Sequence, residues 1–304
     1  MANVTTTLFS SKPYSLGNLN FKLPSTTSKH RTITSMVSVP TKVIPSIIVG
    51  GDISLGKALK QMGTGQDLVL KTGEPVPVDF PGPILVCTKN DDLDAVLEST
   101  PQSRWSDLVF FQDGMLMPWF ESKGLSDPNQ VLPFFDVSRP GKPPVDGITD
   151  VTPEGLTTAF GKWAPAVASR LHAGGLSCKI LEKQAFQNRM IERLLWISAF
   201  MLTGARVPGG TMGDVASENH LYEVVMLMGE MAQATYEETG LAPEVHFETR
   251  LLAYSKAVSH IPAVVEDFKW RNGWFYSISQ KAIAQGKEDP MSLHTRFLKE
   301  VNII

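Results

Sequence analysis

The sequence predicts an α/β protein, a parallel-sheet domain followed by an all-helical C-terminal domain. Three observations carry that reading. Short apolar runs alternate with helical patterns from residue 45 to about residue 135. A stretch rich in Pro and Gly, Ser138 to Asp150, then breaks the texture. After Ser177-Cys-Lys-Ile-Leu nearly everything has the helical period.

Taken in order, Pro45-Ser-Ile-Ile-Val-Gly-Gly reads as a buried strand ending in a turn. Ser54 to Met62 follows as a helix with Leu55, Leu59 and Met62 on one face. Asp67-Leu-Val-Leu-Lys71 is a second strand, and Ile84-Leu-Val-Cys-Thr, after Pro81-Gly-Pro, a third. Asp91 to Glu98 is helical, and Asp107-Leu-Val-Phe-Phe is a fourth strand running into Gln112-Asp113-Gly114. Val131 to Phe135 is a fifth. Thr152-Pro153-Glu154 reads as a helix start, with Pro at the first helical position, and Ser177 to Leu181 as a further strand. Helices are expected over Phe186–Thr203, Glu218–Glu238, Pro243–His260 and Pro290–Val301; the second begins at cap Ser217 and stops at Gly240. The expected division is a leader over 1–44, the sheet domain over 45–150 and the helical domain over 151–304.

Residues 1–51 hold no Asp or Glu, are dense in Ser and Thr, and carry scattered Lys and Arg. Such a leader suits an organelle import receptor, and its scarcity of Arg favours the chloroplast, with stromal delivery and cleavage near residues 30–45. A disordered polar tail is the other reading of the same composition. The net charge of −3 includes this basic leader, so the remainder is more acidic and offers no basic field to a nucleic acid. The longest apolar run, Leu194 to Leu202, is far short of a membrane span. Cys87 and Cys178 sit in apolar runs and read as buried thiols, and the 6 histidines show no metal-ligand spacing, so no metal is expected.

Ile47-Ile-Val-Gly50-Gly51-Asp52-Ile53-Ser54-Leu55-Gly56 sits where a Rossmann-like fold puts its phosphate turn. From Gly51 the fingerprint keeps its third glycine, Gly56, but has Ile53 where a glycine lets the backbone approach the phosphate. Asp52 adds a negative charge. The stretch is either a retained cofactor turn or a strand–turn–helix corner with no ligand.

Ile84-Leu-Val-Cys-Thr-Lys89 with its following helix, then Leu108-Val-Phe-Phe-Gln112-Asp113-Gly114-Met115, resembles the ketopantoate reductase family, within the 6-phosphogluconate dehydrogenase-like superfamily. Ala168-Ser-Arg-Leu-His, Asn188-Arg-Met-Ile-Glu-Arg193-Leu-Leu-Trp-Ile197 and Pro262-Ala263-Val-Val-Glu-Asp267 extend the resemblance over most of residues 45–275. It implies a Rossmann-like domain, a helical domain and an NADPH-linked reduction of a 2-oxo acid. In that family a helix-borne Lys protonates the alkoxide, while Asn, Ser and Glu hold substrate and cofactor.

Carried over residue by residue, the Lys falls on Arg193 and the two Asn positions beyond it on Ile197 and Met201. The Ser falls on Pro262 or Ala263, the Glu within Trp274-Phe275, and the Asn of the Asn-Gly turn on Asp113. Lys89 alone matches outright. The catalytic candidates are therefore Arg193 and Lys89, and the cofactor candidates, for NADP, are Gly50, Gly51, Gly56, Lys71, Lys89 and Asp113. Arg193 could bind an oxyanion, but a guanidinium gives up its proton poorly near neutrality. It is otherwise an ion-paired helix residue beside Glu192.

Trp270-Arg-Asn-Gly-Trp-Phe-Tyr276 gathers four aromatics around a turn, either a satellite core or a surface for a chloroplast protein partner. The helix after Ser217 is apolar almost all round, so it is buried by other helices or by a second subunit, as in a homodimer. Three functions remain open: a diverged reductase of an unidentified small 2-oxo acid, a non-enzymatic scaffold, assembly or regulatory factor with or without a retained nucleotide site, and a silent subunit of a complex. Joint loss of phosphate-turn and proton-donor chemistry in an intact folding pattern favours the second.

Overall fold

The computed structural model describes residues 42–139 and 142–304; apart from residues 42–44, the expected leader lies outside them. Strands β1 (Ile47–Val49), β2 (Leu68–Leu70), β3 (Ile84–Val86), β4 (Leu108–Phe110) and β5 (Asn129–Leu132) are parallel neighbours in the order β2-β1-β3-β4-β5. A small antiparallel ribbon, β6 (Phe135–Asp136) with β7 (Val145–Asp146), stands apart. The main sheet then continues past residue 150: β8 (Thr158–Phe160) pairs antiparallel with β5, and β9 (Lys179–Ile180) pairs parallel with β8.

The runs are apolar without alternation because both faces of the sheet are covered. Ile48, Leu85 and Val109 pack with Ala58 and Leu59 of α1 (Ser54–Gln61) and with Val167 and Leu171 of α4 (Ala164–Ala173). Ile47, Val49, Val86 and Phe110 point the other way, onto Val96 of α2 (Leu93–Ser99) and Phe120 of α3 (Met117–Ser122). Strand order reverses beside β1, which puts the crevice of this fold at the C-terminal ends of β1 and β3.

The helical part begins with a rod made of α5 (Lys183–Leu195), a π-helical turn (Trp196–Phe200) and α6 (Met201–Ala205). Around it lie α7 (Met212–Val215), α8 (Glu218–Thr239), α9 (Phe247–Ala257), α10 (Asn272–Ala284) and α11 (Ser292–Glu300). Helix α8 ends where expected, at left-handed Gly240. Ser217 precedes it, but its hydroxyl bonds back to the Asp214 carbonyl at 2.6 Å and caps nothing. Val224, Leu227, Met228 and Met231 are buried within the chain itself.

Two local expectations are corrected. Thr152-Pro153-Glu154 starts no helix: Thr149 and Thr152 exchange backbone hydrogen bonds at 3.2 and 3.0 Å, and Gly155 at φ +78° turns the chain into β8. The Trp270–Tyr276 segment is not a turn but the entry to α10, because left-handed Asp267 stops the preceding segment and Arg271 opens the helix. Helix α3 and strand β8 are too short for a periodic pattern to reveal. Both cysteines are buried; burial pushes the Cys178 thiol up to about 12 and the Cys87 thiol higher still. No helix among the described residues is long and apolar enough to cross a membrane.

Candidate functional site

All the predicted site residues but Arg193 and the helix-borne Gly56 follow the C-terminal ends of parallel strands, where ligands of open α/β sheets bind. After β1, Gly50 takes φ +83° and a Cβ there would lie 3.1 Å from the Thr88 amide at the end of β3. A Cβ on Gly51 would come within 2.1 Å of the Val69 side chain, and one on Gly56 within 2.4 Å of the Gly50 carbonyl. The glycines are thus accounted for by close packing of strand, turn and helix. The Ile53 amide closes the turn onto the Gly50 carbonyl at 3.1 Å, and Ile53 itself is the residue at the mouth of α1. The Ile53 side chain is half-buried there and Asp52 is exposed beside it. Lys71 and Lys89, after β2 and β3, are exposed and make no ion pair among the described residues. Lys89 also opens the 3₁₀ turn Asn90–Asp92.

After β4 the chain is tied down tightly. The Gln112 side-chain amide donates to the Val86 and Thr88 carbonyls at 3.1 and 2.9 Å, and Asn90 Nδ2 donates to the Asp113 carbonyl at 2.7 Å. Gly114, at φ +128°, lets the Trp270 backbone approach, so the Met115 amide reaches the Trp270 carbonyl at 2.7 Å. Trp270 Nε1 then donates to Asp91 at 2.8 Å. Trp270 is therefore a buried staple between the helical segment and the strand ends. Phe275 is buried as well, and only Trp274 and Tyr276 of that aromatic cluster are half-exposed.

The centre of the site is an ion pair between two residues that the sequence singled out separately. Arg193, on the last turn of α5, grips Asp113 with both arms, Nε to Oδ1 at 2.8 Å and Nη2 to Oδ2 at 2.7 Å. Its guanidinium carbon sits 4.9 Å from the Phe134 ring and 4.6 Å from the Trp196 ring. Glu192, beside it in sequence, faces elsewhere and pairs with Arg189 and Arg250. Burial works against the charge on Arg193, but Asp113 outweighs it and holds the group protonated. Burial likewise pushes the neighbouring Tyr254 phenol up to about 12, with Arg193 pulling against it. Arg193 also shares a side-chain hydrogen bond with the Tyr254 phenol, and Gln112 Oε1 is a buried acceptor with no hydrogen-bond partner.

Of the remaining positions of the expected apparatus, Ile197, Ala263 and Phe275 are buried, Met201 and Trp274 are half-buried and Pro262 is exposed. Ile197 is buried in the π-helical turn, and Ala263 is held by its amide to the Gly210 carbonyl at 2.9 Å. A Cβ on Gly204 would strike the Ala263 methyl at 2.2 Å, so helix and loop are in direct contact there. Sequence reasoning missed Phe134, Tyr254 and the Asp136–His260 pair at 2.8 Å. Only Trp196 carried a signal, three residues after Arg193 on the same helical rod.

No family model and no curated protein matches the chain. Solved structures do. A ketopantoate reductase of the PanE/ApbA family from Ralstonia eutropha JMP134 superimposes with a TM-score of 0.59 at 12% identity, over 86% of this chain and 99% of that one. A D-mandelate dehydrogenase solved with NADH and anilino(oxo)acetate gives 0.57 at 12% identity, over 85% and 97%. The 2-dehydropantoate 2-reductase of Porphyromonas gingivalis W83 gives 0.52 at 16% identity, over 86% and 100%. At such identities the likeness is one of architecture: this chain has the Rossmann-like domain and helical domain of the ketopantoate reductase fold.

Proposed function

We propose that this protein is a diverged, ketopantoate-reductase-like chloroplast protein that no longer forms pantoate and serves as a scaffold, assembly or regulatory factor. The observation that carries this is the Arg193–Asp113 pair. The group standing where a proton-donating amine is needed is a guanidinium held charged by a partner of its own, and losing one acid–base group costs on the order of 10²–10⁴ in rate. The diphosphate corner, blocked by Ile53 and charged by Asp52, supports the same reading. Contact with a nucleotide would fall to Lys71 and Lys89. The acid-free leader supports import into the stroma, and half-exposed Trp274 supports a protein partner at the start of α10. The test is to supply the mature protein with NADPH and ketopantoate, following NADPH oxidation and thermal shift together. Neither turnover nor stabilisation by excess cofactor is expected, and steady turnover sinks the proposal.

One observation favours a second reading, an NADP-dependent reductase of an unidentified small 2-oxo acid. Gln112 Oε1, one residue before Asp113, is a buried acceptor without a partner, and the guanidinium of Arg193 is a group that suits a carboxylate. A fold neighbour was solved with NADH and an oxo acid. Turnover of a panel of 2-oxo acids that is lost in Arg193→Met would establish this reading over the first. A homodimer, the state of the Staphylococcus aureus ketopantoate reductase neighbour, is checked by light scattering.

A further inference from the structure

A hollow lined by none of those residues runs from Met115, just past the Asp113-Gly114 turn, down to the start of β5. A groove of about 540 Å³ opens where β5 begins, between the loop Gly124–Pro128, the end of β8, the first turns of α5 and the start of α10. A second hollow of about 390 Å³ adjoins it and shares Gly124, Leu125, Asp127 and Phe160. Gly50, Lys71, Lys89, Asp113 and Arg193 line neither. The floor is apolar and soft. Met115, Phe120 and Phe186 are buried beneath it, and Met117, Leu125, Phe160 and Trp274 stand half-exposed along it. Phe160 and Phe186 stack at 5.5 Å, which fixes one wall.

The charges on the lining are mostly negative. Lys183 is spent on Asp127 at 2.7 Å, and Glu238 is paired with Lys281 at 2.9 Å. Glu121, exposed on α3 at the rim, has no ion-pair or hydrogen-bond partner for its carboxylate among the described residues. An adaptable thioether and aromatic floor beside one unpaired carboxylate, Glu121, is complementary to a segment that is apolar on one side and carries a cation on the other.

We propose that this groove is the docking site for a short basic and apolar segment of a partner protein, with Trp274 as the anchor and Glu121 as the charge that selects it. The proposal deepens the scaffold reading and rests on it. It also gives the aromatic cluster a divided task, since Trp270 and Phe275 hold the fold while Trp274 faces the groove.

The experiment uses the full described chain and two labelled probes, a short Leu/Lys peptide and its Leu/Glu counterpart, read by fluorescence anisotropy. Binding of the basic peptide alone is expected. Glu121→Lys, at an exposed site, and Trp274→Ala should each weaken it about tenfold or more, while Lys60→Glu, exposed on α1 and outside both hollows, leaves it unchanged. Equal binding by wild type and both groove variants, or equal binding of the acidic peptide, overturns the proposal. So does a dimer that Glu121→Lys dissociates in light scattering, because a second copy then fills the groove. NADPH-dependent turnover is measured on the same samples. Turnover with peptide binding removes the non-catalytic reading and keeps the groove; peptide failure without turnover does the reverse.

Discussion

Two arginines, each gripping an aspartate with both arms, stand at opposite ends of the same sheet. Arg170 of α4 meets Asp67, just before β2, at 2.7 and 2.8 Å, and the pair is sealed, with side chains 2% and 1% exposed. Its remaining donors reach the carbonyls of Leu59 and Ile44 and the Ser46 hydroxyl. Arg193 meets Asp113 just after β4, bonds the Tyr254 phenol, lies on two aromatic rings, and the side chains are 9% and 11% exposed. The chemistry is the same and the placement differs. Ligands of this architecture bind beyond the carboxyl ends of the strands, so the first pair can serve structure alone. The second occupies ground on which substrate chemistry would have to happen.

The sharpest way to break that contrast is to remove one partner from each pair. Arg170→Met leaves Asp67 buried without its cation and should cost about 3–5 kcal/mol, read as a lowered urea midpoint. Arg193→Met should cost less, about 2–3 kcal/mol, because the Asp113 side chain retains access to solvent. Adding Asp113→Leu to it should recover most of that loss. If the two single variants lose equal stability, the pairs are structurally equivalent and the distinction disappears.

A smaller effect tests the glycine corner from which the Arg193 end of the sheet begins. Gly56→Ala drives a methyl into the Gly50 carbonyl and should cost about 1–3 kcal/mol. Thermal melts with and without excess NADPH should show the same gap, since packing and not a nucleotide requires that glycine. A gap that widens with cofactor shows instead that the corner binds it.

The smallest effect contrasts these guanidinium pairs, charged at every ordinary pH, with two neighbouring groups that do titrate, half-buried Glu230 and buried His294. Burial pushes Glu230 up to about 7, against the Leu293 and His294 amides it accepts at the start of α11, and burial pushes His294 down to about 4. Asp289 lies beside both, raising Glu230 and opposing the shift of His294, and Arg296 acts the other way on Glu230. Between pH 4.5 and 7 the folded state holds the Glu230 proton that the unfolded chain has lost, so Glu230 lowers stability as pH rises. Between pH 6.5 and 4 the unfolded chain takes up a His294 proton that the folded state refuses, so His294 lowers stability as pH falls. The two slopes oppose each other over the shared window and should nearly cancel in the wild type. Glu230→Gln should unmask the acid-side loss, on the order of 1–2 kcal/mol from pH 6.5 to 4, in urea melts across pH. A flat profile in that variant removes His294 from the account.

The strands were legible because a sheet covered on both faces writes itself as unbroken apolar runs, as at Ile47–Val49 and Ile84–Val86. Helix α8 was legible because twenty-odd residues of period and a terminal glycine reinforce each other. Thr152-Pro153-Glu154 misled because the cap pattern is local, whereas the bonds between Thr149 and Thr152 and the left-handed Gly155 decide the path. Trp270 was legible only as a choice between core and surface. The choice falls to the core because the backbone of Gly114, more than 150 residues earlier, comes to lie against it.

The sequence by itself determined the alternation of strand and helix and the glycine corner after β1, because each is written in neighbouring positions, and its resemblance to the ketopantoate reductase family singled out Arg193 and Asp113. Only the tertiary structure decided that those two residues neutralise each other, that Phe134 and Tyr254 enclose them, and that Trp274 faces a groove while Trp270 does not. The physical reason is distance along the chain: Arg193 and Asp113 are 80 residues apart, and their charges meet at 2.7 Å only once the sheet and the helical rod have packed.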